Sequence, residues 1–151
     1  MKLFHYTTGN KLKMIIDSGL LRPTEEFTLN PSPTGKRIKP PVWLSKNETL
    51  EPAAIKPVMA GGVKKKLPVE KFANHFGLYR IQVKPSGKTL SFPRLVRAMG
   101  LPSGEARDMA NAAVADGCDV SDWYGYIGKI KVKDFLSIEK YDDGDWIEIK
   151  F

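Results

Sequence analysis

Near the end of the chain, Asp142-Asp143-Gly144-Asp145 constrains the fold more than any other stretch. An Asp-Gly pair supplies the positive φ of a tight two-residue turn. The runs on either side, residues 135–141 and 146–149, must then pair antiparallel. Residues 78–83 (Leu-Tyr-Arg-Ile-Gln-Val) alternate and predict a further strand. Residues 123–130 predict one strand, straight or kinked, because Gly125 and Gly128 permit a bulge. Two short apolar runs, residues 3–7 and 42–45, complete the strand set.

Helical spacing separates these runs. Leu12, Ile15 and Ile16 lie on one face ahead of Gly19, with Thr7 or Thr8 available as a cap. Residues 92–99 predict a short helix ending at Gly100. Ser103 is placed to cap the next one, with Ala106, Met109, Ala110, Ala113 and Val114 as its apolar face and Gly117 as its stop. So many alanines predict a closely packed neighbour. Residues 22–41 form a long basic loop with Pro23, Pro31, Pro33, Pro40 and Pro41. A loop longer than about 12–15 residues is functional or disordered. Residues 47–56 predict a turn and a short helical piece holding Glu48 and Glu51, and residues 61–66 a flexible basic linker. Residues 85–87 are a turn. The expectation is one domain over residues 1–151. It is α+β, with a mixed, mostly antiparallel sheet and helices packed against it. No internal repeat is visible.

Composition narrows the function. A hydrophobic share of 42% supports a core rather than global disorder. No apolar run approaches the ~18 residues that span a bilayer, so no membrane role is expected. Met1 to His5 is too polar for a secretory leader, and the single cysteine, Cys118, allows no internal disulfide; both fit the cytoplasm. One cysteine and two histidines make a zinc set improbable, so no metal is expected. The 24 Lys and Arg outnumber 17 Asp and Glu, a net +7 that suits a phosphate-rich partner or simply solubility.

No phosphate-binding loop, dinucleotide fingerprint or nucleophile elbow is present. The chemistry must come from a constellation. His5, in the first strand, offers one donor and one acceptor when neutral, which suits a ribose diol or a structural hydrogen bond. Trp43 and Ser45 share a strand face, as a ring and hydroxyl would beside an aromatic ligand, or as core residues would. Trp123, Tyr124 and Tyr126 suit stacking on a flat ring, or the core and edge of a strand.

These motifs together resemble a known family. Leu3-Phe4-His5-Tyr6-Thr7-Thr8, the helix ending in Ser18-Gly19-Leu20-Leu21-Arg22-Pro23, and then Pro40-Pro41-Val42-Trp43-Leu44-Ser45 are similar to the ADP-ribosyltransferase superfamily. The small bacterial and phage proteins are the nearer group. Diphtheria-toxin-like enzymes, thymidine ADP-ribosyltransferases of DNA and tRNA 2′-phosphotransferases are more distant. Residues 3–23 and 42–45 carry the likeness; residues 78–83 and the last third match in order only.

The resemblance implies an NAD-dependent mono-ADP-ribosyltransferase acting on a protein or nucleic-acid target. It implies that His5 holds the nicotinamide-side ribose and that Ser45 floors the same pocket. Tyr6, Thr7, Trp43 and Tyr124 would shape it. Breaking the glycosidic bond develops positive charge on the ribose, which a carboxylate stabilises; losing such a group costs ~10²–10³ in rate. The late strand departs from the family here, since Tyr124-Gly125-Tyr126-Ile127-Gly128 holds no acid. Glu139 and Glu148 lie on later strands, and alternation turns Glu148 to solvent. Glu51 and Asp122 remain as stand-ins. The alternative is a non-catalytic module binding a nucleotide or nucleic acid on the same fold. A third reading, an RNA 2′-phosphotransferase, would use arginines such as Arg22, Arg80 or Arg94 around a phosphate.

Overall fold

A computed structural model describes residues 1–23 and 38–151. Most of the expected 22–41 loop therefore lies outside the described residues.

The chain runs β1 (Leu3–Thr7), α1 (Gly9–Ser18), β2 (Leu20–Leu21), β3 (Val42–Ser45), a 3-10 turn (Pro52–Ala54), β4 (Val58–Ala60) and β5 (Val63–Lys65). It continues through α2 (Val69–Phe76), β6 (Tyr79–Val83), β7 (Thr89–Ser91), α3 (Phe92–Met99) and α4 (Ser103–Ala115). It ends with β8 (Trp123–Tyr126), β9 (Ile130–Lys131), β10 (Phe135–Asp142) and β11 (Asp145–Ile149). Seven strands form one sheet in the order β11-β10-β6-β1-β3-β8-β7. The class is α+β as expected, and every pairing in this sheet is antiparallel.

The hairpin at residues 142–145 forms as the Asp-Gly signal requires. Asp142 pairs with Asp145, and both central residues take positive φ, 49° at Asp143 and 86° at Gly144. A second hairpin replaces the expected linker at residues 61–66. Gly61 and Gly62 take φ of 59° and 79°, and β4 folds onto β5 with Ala60 opposite Val63.

Alternation along each strand gives the sheet two covered faces. The first carries Leu3, Val42, Leu44, Ile81, Val83 and Ile138, buried under Leu12 and Ile15 of α1. The second carries Phe4, Tyr6, Trp43, Ser45 and Arg80. Two smaller cores cover it, one built on Leu95 and Met99 of α3, the other on Phe72 of α2 with Ile55 and Leu78. Gly125 of β8 lets α3 approach on this face. A Cβ there would run into both Leu95 methyls.

Three local expectations change. Residues 123–130 are not one strand: β8 stays in the main sheet, while β9 leaves to pair with β2. Ser103 is the first residue of α4 rather than its cap, which is Pro102. Of the five residues expected to form α4's apolar face only Ala113 is buried, and Val114 is 67% exposed. The chain caps α1 at Thr8, whose side chain makes no capping bond.

Candidate functional site

The main sheet is joined by a short seam. β1 and β3 register at a single pair, Phe4 with Ser45, between the halves β11-β10-β6-β1 and β3-β8-β7. His5 lies one residue beyond that seam. In place of a ladder bond, its ring Nδ1–H donates to the Trp43 carbonyl at 2.9 Å. A carbonyl only accepts, so this bond fixes the tautomer: Nδ1 carries the proton and Nε2 presents a lone pair. Burial lowers the imidazole pKa to about 4; the Trp43 carbonyl opposes that shift, and Lys11 and Lys56 reinforce it. At neutral pH the ring is therefore uncharged. Among the described residues no buried side-chain nitrogen or oxygen lacks a hydrogen bond. Nε2 has no such bond among the described residues, so it is not wholly enclosed by them, although the ring as a whole is largely buried. Its chemistry is that of a fixed, neutral hydrogen-bond acceptor at the rim of the seam.

Thr7 is buried on the same face as His5, two residues along β1. Tyr124 points to that face from β8 and packs, half-buried, against the first core.

The other expected site residues gather on the opposite face around Glu51. This residue is only 5% exposed, yet it is a carboxylate. Its Oε1 accepts from the Ser45 hydroxyl at 3.2 Å and from the Trp123 indole N–H. Burial raises its pKa, while Trp123 and Ser45 pull it back down and Asp122 pushes it up. The Tyr6 hydroxyl donates to the Asn47 carbonyl at 3.1 Å and accepts the Glu51 backbone N–H at 3.4 Å. The Trp43 ring stands edge-on to Trp123 with centroids 5.9 Å apart. Asp122 sits half-buried just before β8, its carbonyl taking the Lys46 N–H at 2.9 Å.

His5 and Thr7 thus share one face, and Tyr6, Trp43, Ser45 and Glu51 the other. Ser45 does not floor a pocket shared with His5. The seam pair sets this arrangement: Phe4 stands opposite Ser45, so the next residue, His5, must project the other way.

Two features escaped the sequence reading. Asn47 organises the turn after β3, its Oδ1 accepting the N–H groups of Thr49 and Leu50 at 3.0 and 3.3 Å. The Asn-Glu-Thr run was a legible sign of such a side-chain turn. Arg80 is engaged inside the protein. Its Nε donates to Glu139 at 2.8 Å, its Nη1 donates to the Glu48 carbonyl at 2.6 Å, and its guanidinium lies 4.0 Å from the Phe4 ring centroid. At 6% exposed it is not available to a phosphate. No sign in the sequence could have paired residues 59 positions apart.

No group of three or more His, Cys, Asp or Glu side chains able to hold a metal ion occurs among the described residues. No helix among them is long and apolar enough to cross a membrane. No family model, no curated protein and no solved structure matches this chain.

Proposed function

We propose that the protein is an NAD-dependent mono-ADP-ribosyltransferase in which His5 grips the nicotinamide-side ribose. One observation carries this reading: a neutral imidazole with a fixed tautomer beside the seam, its Nε2 lone pair not taken by any described residue. A ribose hydroxyl is a donor that such an acceptor selects, and a neutral ring does not repel the cationic nicotinamide ring. Thr7 and Tyr124, on the same face, would line the sugar's approach. The acceptor would be a protein or a nucleic acid, the latter favoured by the net charge of +7.

The position of Glu51 favours a second reading, in which the fold binds a nucleotide without transferring it. Glu51 is the one buried carboxylate among the described residues, and it faces Ser45 and Trp123 rather than His5.

Calorimetric titration with NAD, paired with chromatography of the products, separates the two. Binding with release of nicotinamide supports the transferase; binding without turnover, toward any protein or nucleic-acid acceptor, supports the module. His5→Asn keeps a donor for the Trp43 carbonyl and removes the Nε2 acceptor, so NAD affinity should fall by about tenfold, the worth of one hydrogen bond. Absence of NAD binding to wild type, or equal binding by His5→Asn, overturns the ribose grip.

A further inference from the structure

The β4–β5 ribbon lies outside the main sheet and concentrates the chain's charge. Residues 56–71 hold five lysines, 56, 64, 65, 66 and 71, and a single acid, Glu70. This stretch supplies four of the seven net positive charges. Glu70 is turned to the Tyr141 hydroxyl, from which it accepts at 3.4 Å. Lys66 anchors the ribbon's base by donating to the Pro52 carbonyl at 3.0 Å. Lys64 and Lys65 are exposed, opposite Met59 and Val58 across the ribbon.

Between ribbon and α2 lies an open cavity of about 560 Å³. Its lining includes Met59, Lys71, Asn74, His75 and Phe76. Phe76 is 37% exposed and held from two sides, by His75 edge-on at 4.5 Å and by Phe72 at 5.0 Å. Met59 is 66% exposed beside it. A purely apolar partner would not need the lysines, and an acidic peptide offers a flat ring only where an aromatic residue falls, not one beside every negative charge. A nucleotide strand brings both: a face to stack on an aromatic side chain, an edge for the Asn74 amide, and phosphates for lysines.

We propose that the β4–β5 ribbon and the cavity beside α2 form a binding site for single-stranded nucleic acid. One base enters against Phe76 and Met59, and the flanking phosphates lie on Lys64, Lys65 and Lys71. The Phe76 carbonyl lies close to the first residue of α1. A Cβ on Gly9 would stand 3.2 Å from it. The site does not depend on NAD, so it stands or falls separately from the transferase reading.

Fluorescence anisotropy with labelled oligonucleotides tests it, using poly-dT and poly-U strands of about a dozen nucleotides and a duplex of equal length. Both single strands should bind, with affinity falling as salt rises from about 50 to about 200 mM. The surface variant Lys64→Gln/Lys65→Gln should bind at least tenfold more weakly, and its log–log salt slope should shrink by about 1.4 for two lost phosphate contacts. Phe76→Leu, which keeps most of the volume but removes the ring, should weaken binding about tenfold with the salt slope unchanged. A stronger response from poly-U or from poly-dT names the natural strand. Failure of wild type to bind either strand, tighter binding of the duplex, equal competition by polyglutamate, or indifference to both variants overturns the proposal.

Discussion

Replacing His5 by Asn should change how stability depends on pH, in a direction that the structure sets. The imidazole's pKa is lowered to about 4 in the folded protein, chiefly by burial, against an ordinary 6.5. Between those values the unfolded chain binds a proton that the folded one refuses. The neutral ring's contribution is therefore complete above pH 6.5 and lost as pH falls toward 4. At 1.36 kcal/mol for each unit of pKa difference, the loss approaches about 3 kcal/mol at the acid end. Asn has no such titration, while its amide N–H still serves the Trp43 carbonyl. Urea unfolding across pH 4 to 8 gives the comparison. Wild type should lose its advantage over His5→Asn by about 1.4 kcal/mol per pH unit inside the window. Above pH 7 the difference should be flat. Parallel curves, or a difference that grows as pH falls, would refute a buried neutral imidazole and remove the support for the proposed ribose contact with it.

Gly125→Ala should destabilise the protein by about 1–3 kcal/mol, because its Cβ would enter the fully buried Leu95 side chain; in a double-mutant cycle, Leu95→Val should recover part of that loss. Glu51→Ala should cost about 1–3 kcal/mol in urea unfolding, since it leaves the Trp123 N–H and Ser45 hydroxyl without their acceptor. Arg80→Met should cost about 3–5 kcal/mol because it leaves Glu139 largely buried and unpaired, whereas Arg80→Met/Glu139→Leu should be far milder by the same measurement.

The hairpin at residues 142–145 and the β1–α1 unit were legible because each is set by residues close in sequence. Asp-Gly dictates its turn whatever lies elsewhere, and Leu12 and Ile15 mark a buried stripe over a single helix. α2 has a legible pattern too, Val69, Phe72, Ala73 and Phe76 at helical spacing, but Pro68 and the lysines before it carry the composition of a linker. β7 has three half-buried residues, too few for any period to show. The break between β8 and β9 depends on where Ile130 finds a partner, β2, which lies more than a hundred residues earlier. The two-faced site belongs with this last kind. Alternation within β1 separates His5 from Tyr6, and alternation within β3 groups Trp43 with Ser45. Neither strand alone says which of those sets meet. That information resides in the register Phe4–Ser45, a pairing across 41 positions.

Burial disfavours the charged form of both His5 and Glu51, so the base and the acid oppose each other in their response to pH. His5 is buried with its pKa lowered, so its contribution weakens as pH falls through its window. Glu51, on the other face, is buried with its pKa raised. Its folded form holds a proton more readily than the unfolded chain does, so its contribution is complete at acid pH and fades as pH rises through the raised value. Between these two trends the wild-type profile flattens, and a flat curve alone would hide both. Glu51→Gln removes one trend by keeping an uncharged acceptor for Trp123 and Ser45. That variant should gain stability relative to wild type at pH 7 and lose the gain near pH 4, the reverse of His5→Asn. Finding both reversals in unfolding experiments would mean that the sheet keeps a neutral base and a reluctant acid on opposite sides of one seam. Finding the Glu51→Gln difference constant with pH would mean instead that Glu51 ionises normally, its charge met by the indole and the hydroxyl.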